Sequence, residues 1–136
     1  VVQKVIDAPF IPGALEFLVK YYLYFPLYVI SATPEGEINE IIYKKELRKY
    51  FKGVYGSPSN KSKWAKYIIS KDNFDPKKVI FVGDALSDYN AALNCGLHFI
   101  ARIEKCGHNP FEEIIVDYKI SNIFDLDKLL SSNGIK

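Results

Sequence analysis

The stretch Val79-Ile80-Phe81-Val82-Gly83-Asp84-Ala85-Leu86-Ser87-Asp88 decides the fold class of this chain. Its four consecutive apolar residues end in a glycine and an acid. A strand with no polar alternation is covered on both faces, which is the habit of parallel sheets rather than of half-exposed antiparallel ones. A helical segment over residues 88–94 follows and stops at Gly96, a residue suited to the left-handed turn that ends a helix.

The same strand-then-helix alternation extends in both directions, as expected for repeated βα units. Upstream, residues 27–30 form a continuously apolar strand bounded by Pro26 and Ser31. Thr33 reads as an N-cap and Pro34 as the first helical residue. Glu35 and Glu37 favour the first turn of a helix that runs to about residue 49, with Ile38, Ile41 and Ile42 on one face. Val54 and Tyr55 make a short strand ending in Gly56-Ser57-Pro58. The helix expected over residues 61–71 buries Trp64, Tyr67 and Ile68. Pro12 and Gly13 turn the chain into a helix over 14–22, where Tyr21, Tyr22 and Tyr24 join Tyr28 in an aromatic cluster read as packing. Downstream come a strand over 98–103, a loop over 104–113, an edge strand over 118–120 and a short helix over 125–130. The expected fold is therefore α/β, a Rossmann-like three-layer α/β/α sandwich with a mainly parallel sheet.

Composition agrees with one globular domain: 136 residues, 49% hydrophobic and 25% charged. Eighteen basic and sixteen acidic side chains leave a net charge of +2. No basic run stands out, so nucleic acid is not an expected partner. The longest apolar stretch, residues 17–30, contains Lys20 and Pro26 and is too short to span a bilayer. Without a signal-peptide pattern either, the expectation is a cytoplasmic protein with no membrane partner. Cys95 and Cys106 then read as reduced thiols. Cys106 and His108 form a lone pair with no second set of zinc ligands. The sequence has no methionine, so Val1 reads as the middle of something longer. Residues 1–11 read as the end of an upstream segment or linker, and 12–136 as the body of the domain.

Ligands of parallel sheets bind beyond the carboxyl ends of the strands. Those ends carry Ser31, the pair Lys61 and Lys63 after Gly56-Ser57-Pro58, and the acids Asp84 and Asp88. A hydroxyl, an ammonium and two carboxylates on one edge suit a divalent cation together with a phosphate. Ser31 and the N–H of Ala32 can donate to phosphate oxygens at a helix start, and a lysine supplies a point charge. His98, within a strand, reads as structural.

The run 79–88, an apolar strand followed by Gly-Asp and a second Asp four residues on, resembles the fourth motif of the haloacid dehalogenase superfamily. Tyr28-Val29-Ile30-Ser31 resembles its second motif, and Lys61 its third. Ile11-Pro12-Gly13-Ala14 resembles the re-entry into the core after a small cap. The likeness covers roughly residues 9–103. It implies Mg²⁺ on Asp84, and Asp88 as a second ligand or as the group that holds the metal shell and the lysine. It also implies phosphoryl binding by Ser31 and the Ala32 N–H, and charge neutralisation by Lys61.

The implied reaction, in the intact protein, is Mg²⁺-dependent hydrolysis of a small phosphorylated metabolite through an aspartyl-phosphate. The family's first motif, an Asp-x-Asp run after the first and central strand, has no match in residues 1–30, where Asp7 stands alone. The expectation is therefore a core that lacks its first strand, its nucleophile and its cap, inactive alone and unstable for want of a central strand. Phe124-Asp125-Leu126-Asp127 imitates that motif but has no buried strand before it, because Ser121 and Asn122 interrupt the run. It reads as a helix burying Leu126, Leu129 and Leu130. The alternative is a non-catalytic domain of this type that binds a metal, a phosphate or a protein. A phosphomutase shares the visible motifs.

Overall fold

The computed structural model describes residues 3–6, 13–103, 109–116 and 118–132. Six strands, β1 (Gln3–Ile6), β2 (Leu27–Pro34), β3 (Gly53–Ser57), β4 (Val79–Gly83), β5 (His98–Arg102) and β6 (Tyr118–Ile120), make one sheet. All its pairings are parallel, in the order β3-β2-β1-β4-β5-β6. Among the described residues there are also five α-helices, α1 (Ala14–Tyr21), α2 (Glu35–Lys44), α3 (Lys61–Asp72), α4 (Leu86–Cys95) and α5 (Ile123–Ser132), and two short 3-10 helices.

The strands feed two separate cores, because successive side chains point to opposite faces. Leu27, Val29, Ile80, Val82 and Ile100 meet α1, α2 and α5 through Phe17, Leu18, Ile38, Ile42, Leu126 and Leu130. Tyr28, Ile30, Val79, Phe81 and Phe99 meet α3 and α4 through Ala65, Ile68, Ala91 and Ala92. The sandwich expected from the sequence is thus present, and every residue of β4 is buried.

One expectation fails. The centre of the sheet is filled, and by residues assigned above to a linker. Gln3–Ile6 pairs with β4 from Gln3↔Val79 to Ile6↔Val82, and with β2 at Lys4↔Leu27 and Val5↔Tyr28. The inner edges of β2 and β4 are therefore paired, which removes the physical reason for the expected instability. The strand escaped notice because half of its four residues, Gln3 and Lys4, are polar, so no apolar run announces it. Pro12, Asp7, Cys106 and His108 lie outside the described residues.

Several boundaries also move. β2 continues to Pro34, which is the N-cap in place of Thr33, and α2 starts at Glu35. That helix ends at Lys44, with Glu46 at φ 58°, rather than near residue 49. Trp64 is only half-buried and Tyr67 is exposed, while Ala65 and Ile68 take the buried positions of α3. Of the tyrosine cluster, Tyr21 and Tyr28 are buried and Tyr24 is exposed. Gly96 ends α4 at φ 70°, as its sequence position suggests.

Candidate functional site

The register of the sheet places the two most distant elements of the site. Val5 lies opposite Tyr28 and Ile6 opposite Val82. Ser31 and Asp84 therefore stand at the same height on the carboxyl edge, one on each side of β1. Two inter-strand spacings separate them, roughly 9–10 Å. Asp84 is exposed at the tip of β4. Ser31 is half-buried, and its Oγ accepts the Thr33 N–H at 3.1 Å. Ala32 lies in the extended end of β2, three residues before α2 begins, so its N–H is not at a helix start as expected above.

Asp88 is the hub. It is the third residue of α4 and is fully buried. Its Oδ2 accepts the N–H groups of Asp84 at 3.2 Å and of Ala85, the N-cap, at 3.1 Å. This is half of a capping box; alanine has no side-chain oxygen to complete the other half. Its Oδ1 takes the Nζ of Lys61 at 2.6 Å, and the two side chains are 0% and 10% exposed.

Such a carboxylate fits only because residue 83 is glycine. A Cβ there would lie 2.3 Å from Asp88 Cβ and 2.5 Å from its Oδ2. The glycine thus makes room for the second acid, a different role from the close approach to a ligand that the sequence suggested. Lys61 is the first residue of α3, which is capped by Asn60 Oδ1 accepting the Lys63 N–H at 2.8 Å. Lys63 itself is exposed. The structure thus distinguishes the two lysines and joins Lys61, Asp88 and the Asp84 backbone into one unit, with Ser31 across the end of β1.

A family model described as haloacid dehalogenase-like hydrolase matches residues 3–102. The chain belongs to the haloacid dehalogenase-like hydrolases. Solved structures of this kind superpose well on it. A haloacid dehalogenase-like hydrolase from Streptococcus pneumoniae aligns with a TM-score of 0.77 at 18% identity, covering 88% of this chain and 59% of its own. A haloacid dehalogenase-type hydrolase from Bacillus subtilis, solved bound to magnesium, gives 0.77 at 20% identity, covering 88% and 55%. The core domain of a protein provisionally named a phosphoglycolate phosphatase, also from S. pneumoniae, gives 0.74 at 18%, covering 96% and 95%. The chain thus spans less than two thirds of the first two relatives and nearly all of an isolated core domain. No curated protein sequence matches it at a significant level. Among the described residues, no helix is long and apolar enough to cross a membrane.

How this hydrolase core could hold a divalent cation follows from its donors. No group of three or more acidic, histidine or cysteine side chains gathers among the described residues. Both oxygens of Asp88 already accept N–H donors, so it holds the lysine and the Gly83-Asp84 turn together. The carboxylate left facing solvent is Asp84. One hard oxygen donor with water and phosphate around it suits Mg²⁺, which keeps most of its hydration shell, and would not suit zinc.

The remaining candidates lie elsewhere. His98 Nε2 bonds the Lys77 carbonyl at 2.7 Å on the opposite edge of the sheet. Cys95 is a free thiol whose pKa is raised by burial. The imitation motif at 124–127 is helical, as expected, with Leu126 and Leu130 buried and Asp127 paired with Lys20 at 2.9 Å.

Proposed function

We propose that this edge binds a phosphoryl group, and that the intact protein hydrolyses a phosphomonoester of a small metabolite with the help of Mg²⁺. The observation that carries the reading is the buried Lys61–Asp88 pair at the carboxyl edge, beside a solvent-facing Asp84. A lysine anchored by a fully buried carboxylate cannot swing away, so its charge is preorganised for an anion rather than reorganised at the moment of reaction. Ser31 offers its hydroxyl proton to a phosphoryl oxygen while Oγ accepts from Thr33. Asp84 would hold the magnesium ion. The ion, when bound, neutralises phosphoryl charge as transfer proceeds. The covalent carrier in this reading is an aspartate supplied from outside the described residues.

A second reading is favoured by the position of β1. The resemblance puts the nucleophile directly after the central strand, and the residue after Ile6 is Asp7. Pro9 stands where the second acid of that pattern belongs, so no general acid/base follows at the usual spacing.

Release of p-nitrophenol from p-nitrophenyl phosphate by the 136-residue chain, with Mg²⁺, decides between the two. No release, from the chain or from Asp7→Asn, supports an external nucleophile. Release that Asp7→Asn abolishes supports Asp7. Release that survives both Asp7→Asn and Asp84→Asn refutes both.

A further inference from the structure

We propose that Trp64 is a positioning residue for Lys61, and that it acts by fastening both ends of the loop that delivers the lysine. The inference rests on the reading of Lys61 as the cation that meets the phosphoryl group. That loop runs from Gly56, the last buried residue of β3, through Ser57, Pro58 and Ser59 to Asn60. Trp64 lies one helical turn beyond Lys61. Its backbone N–H bonds the Asn60 carbonyl at 3.1 Å, which closes the far end of the loop. Its indole Nε1–H reaches back to the Gly56 carbonyl at 2.8 Å, which closes the near end.

The ring cannot rotate out of this contact cheaply. It stacks on Tyr55 with centroids 4.5 Å apart and an interplanar angle of 25°, and it meets the edge of Tyr67 at 5.6 Å and 77°. Gly56 is itself closely packed. A Cβ on it would lie 2.3 Å from the Thr33 carbonyl oxygen and 2.9 Å from the backbone of Glu35. Thr33 donates its N–H to Ser31. One indole bond therefore holds the end of β3 against the helix that starts with Lys61, and the same β3 residue abuts the segment that carries Ser31. The fixed quantity is the separation of the hydroxyl and the ammonium, the two groups that would grip one phosphate. Errors of about 1 Å in such positioning are costly. An indole N–H only donates, and a phenyl ring has nothing to replace it.

Trp64 is the sole tryptophan of the chain, so its indole N–H gives a single resonance. The experiment is a titration of the 136-residue chain with inorganic phosphate in the presence of Mg²⁺. The indole resonance should shift and saturate, and binding should be lost in Lys61→Met. Trp64→Phe keeps a ring over Tyr55 and loses the donor. Its phosphate Kd should rise at least fivefold at a temperature where it is fully folded, a readout that a merely structural role would leave unchanged.

Unchanged affinity in Trp64→Phe overturns the inference and leaves the reading of Lys61 standing. A saturated titration of the unmodified chain that leaves the indole resonance in place also overturns it, and needs no variant to fold. A chain that fails to bind phosphate, or binding that survives Lys61→Met, overturns the underlying reading and the inference with it.

Discussion

Replacing Lys61 by methionine should destabilise the chain, because the change strands a buried charge. Asp88 is 0% exposed and has three donors: Lys61 Nζ at 2.6 Å on Oδ1, and the Asp84 and Ala85 N–H groups at 3.2 and 3.1 Å on Oδ2. With only 10% of the lysine side chain exposed, water screens neither partner. Breaking such a pair from one side costs on the order of 3–5 kcal/mol. The two backbone donors remain, so the lower end, about 3 kcal/mol, is expected. For a chain of this length that corresponds to a fall in Tm of about 10 °C. Asp88→Asn should cost a similar amount, since the amide oxygen can keep the backbone N–H groups but its NH₂ then faces the ammonium. The double variant removes both charges, and its loss should be about 1–2 kcal/mol rather than the sum. Urea melts of the four proteins, with m-values compared, measure this cycle. A Lys61→Met midpoint equal to that of the parent, or a double variant whose loss equals the sum of the singles, would refute the reasoning. The pair would then be screened like a surface ion pair.

Three further outcomes are expected. Gly83→Ala forces its Cβ to 2.3–2.5 Å from the Asp88 side chain; it should cost about 2 kcal/mol or more in a urea melt and weaken phosphate binding as well. Ser31→Ala should leave the melt within about 1 kcal/mol of the parent but raise the phosphate Kd roughly five- to tenfold, the worth of one hydrogen bond, measured by calorimetry. Tyr28 is buried, and its hydroxyl donates to Asp72. Burial, with that bond second, raises its pKa above the ordinary value. An unfolded chain would release this proton first, near pH 10, so the contribution is intact below that pH and is lost as pH rises. Stability should therefore fall between pH 9 and 11 by more in the parent than in Tyr28→Phe, and equal slopes in the two would contradict the assignment.

Much of this was legible in the residues, for identifiable reasons. β4 announces itself because a strand buried on both faces must be apolar throughout, and 79–82 is. The acid four residues past Asp84 is visible because it completes, with Gly83 and Asp84, the run that resembles the fourth motif. That the hydroxyl, the lysine and the acids fall on one carboxyl edge follows from the polarity of parallel strands. β1 was not legible. A four-residue strand gains its stability from neighbours on both sides, which no local pattern records, and its polar first half hid it.

Local chemistry, written residue by residue, determined the α/β class, the edge on which ligands would gather and the candidate groups that line it. Tertiary structure decided which lysine pairs with Asp88, that Asp88 also accepts two backbone donors, and that Trp64 grips Gly56. It also decided that the centre of the sheet is occupied. The physical reason is common to all four. Periodicity and capping act over a single helical turn or strand. A buried charge pair or a shared strand edge instead joins residues that are distant in the chain and meet only when the layers close.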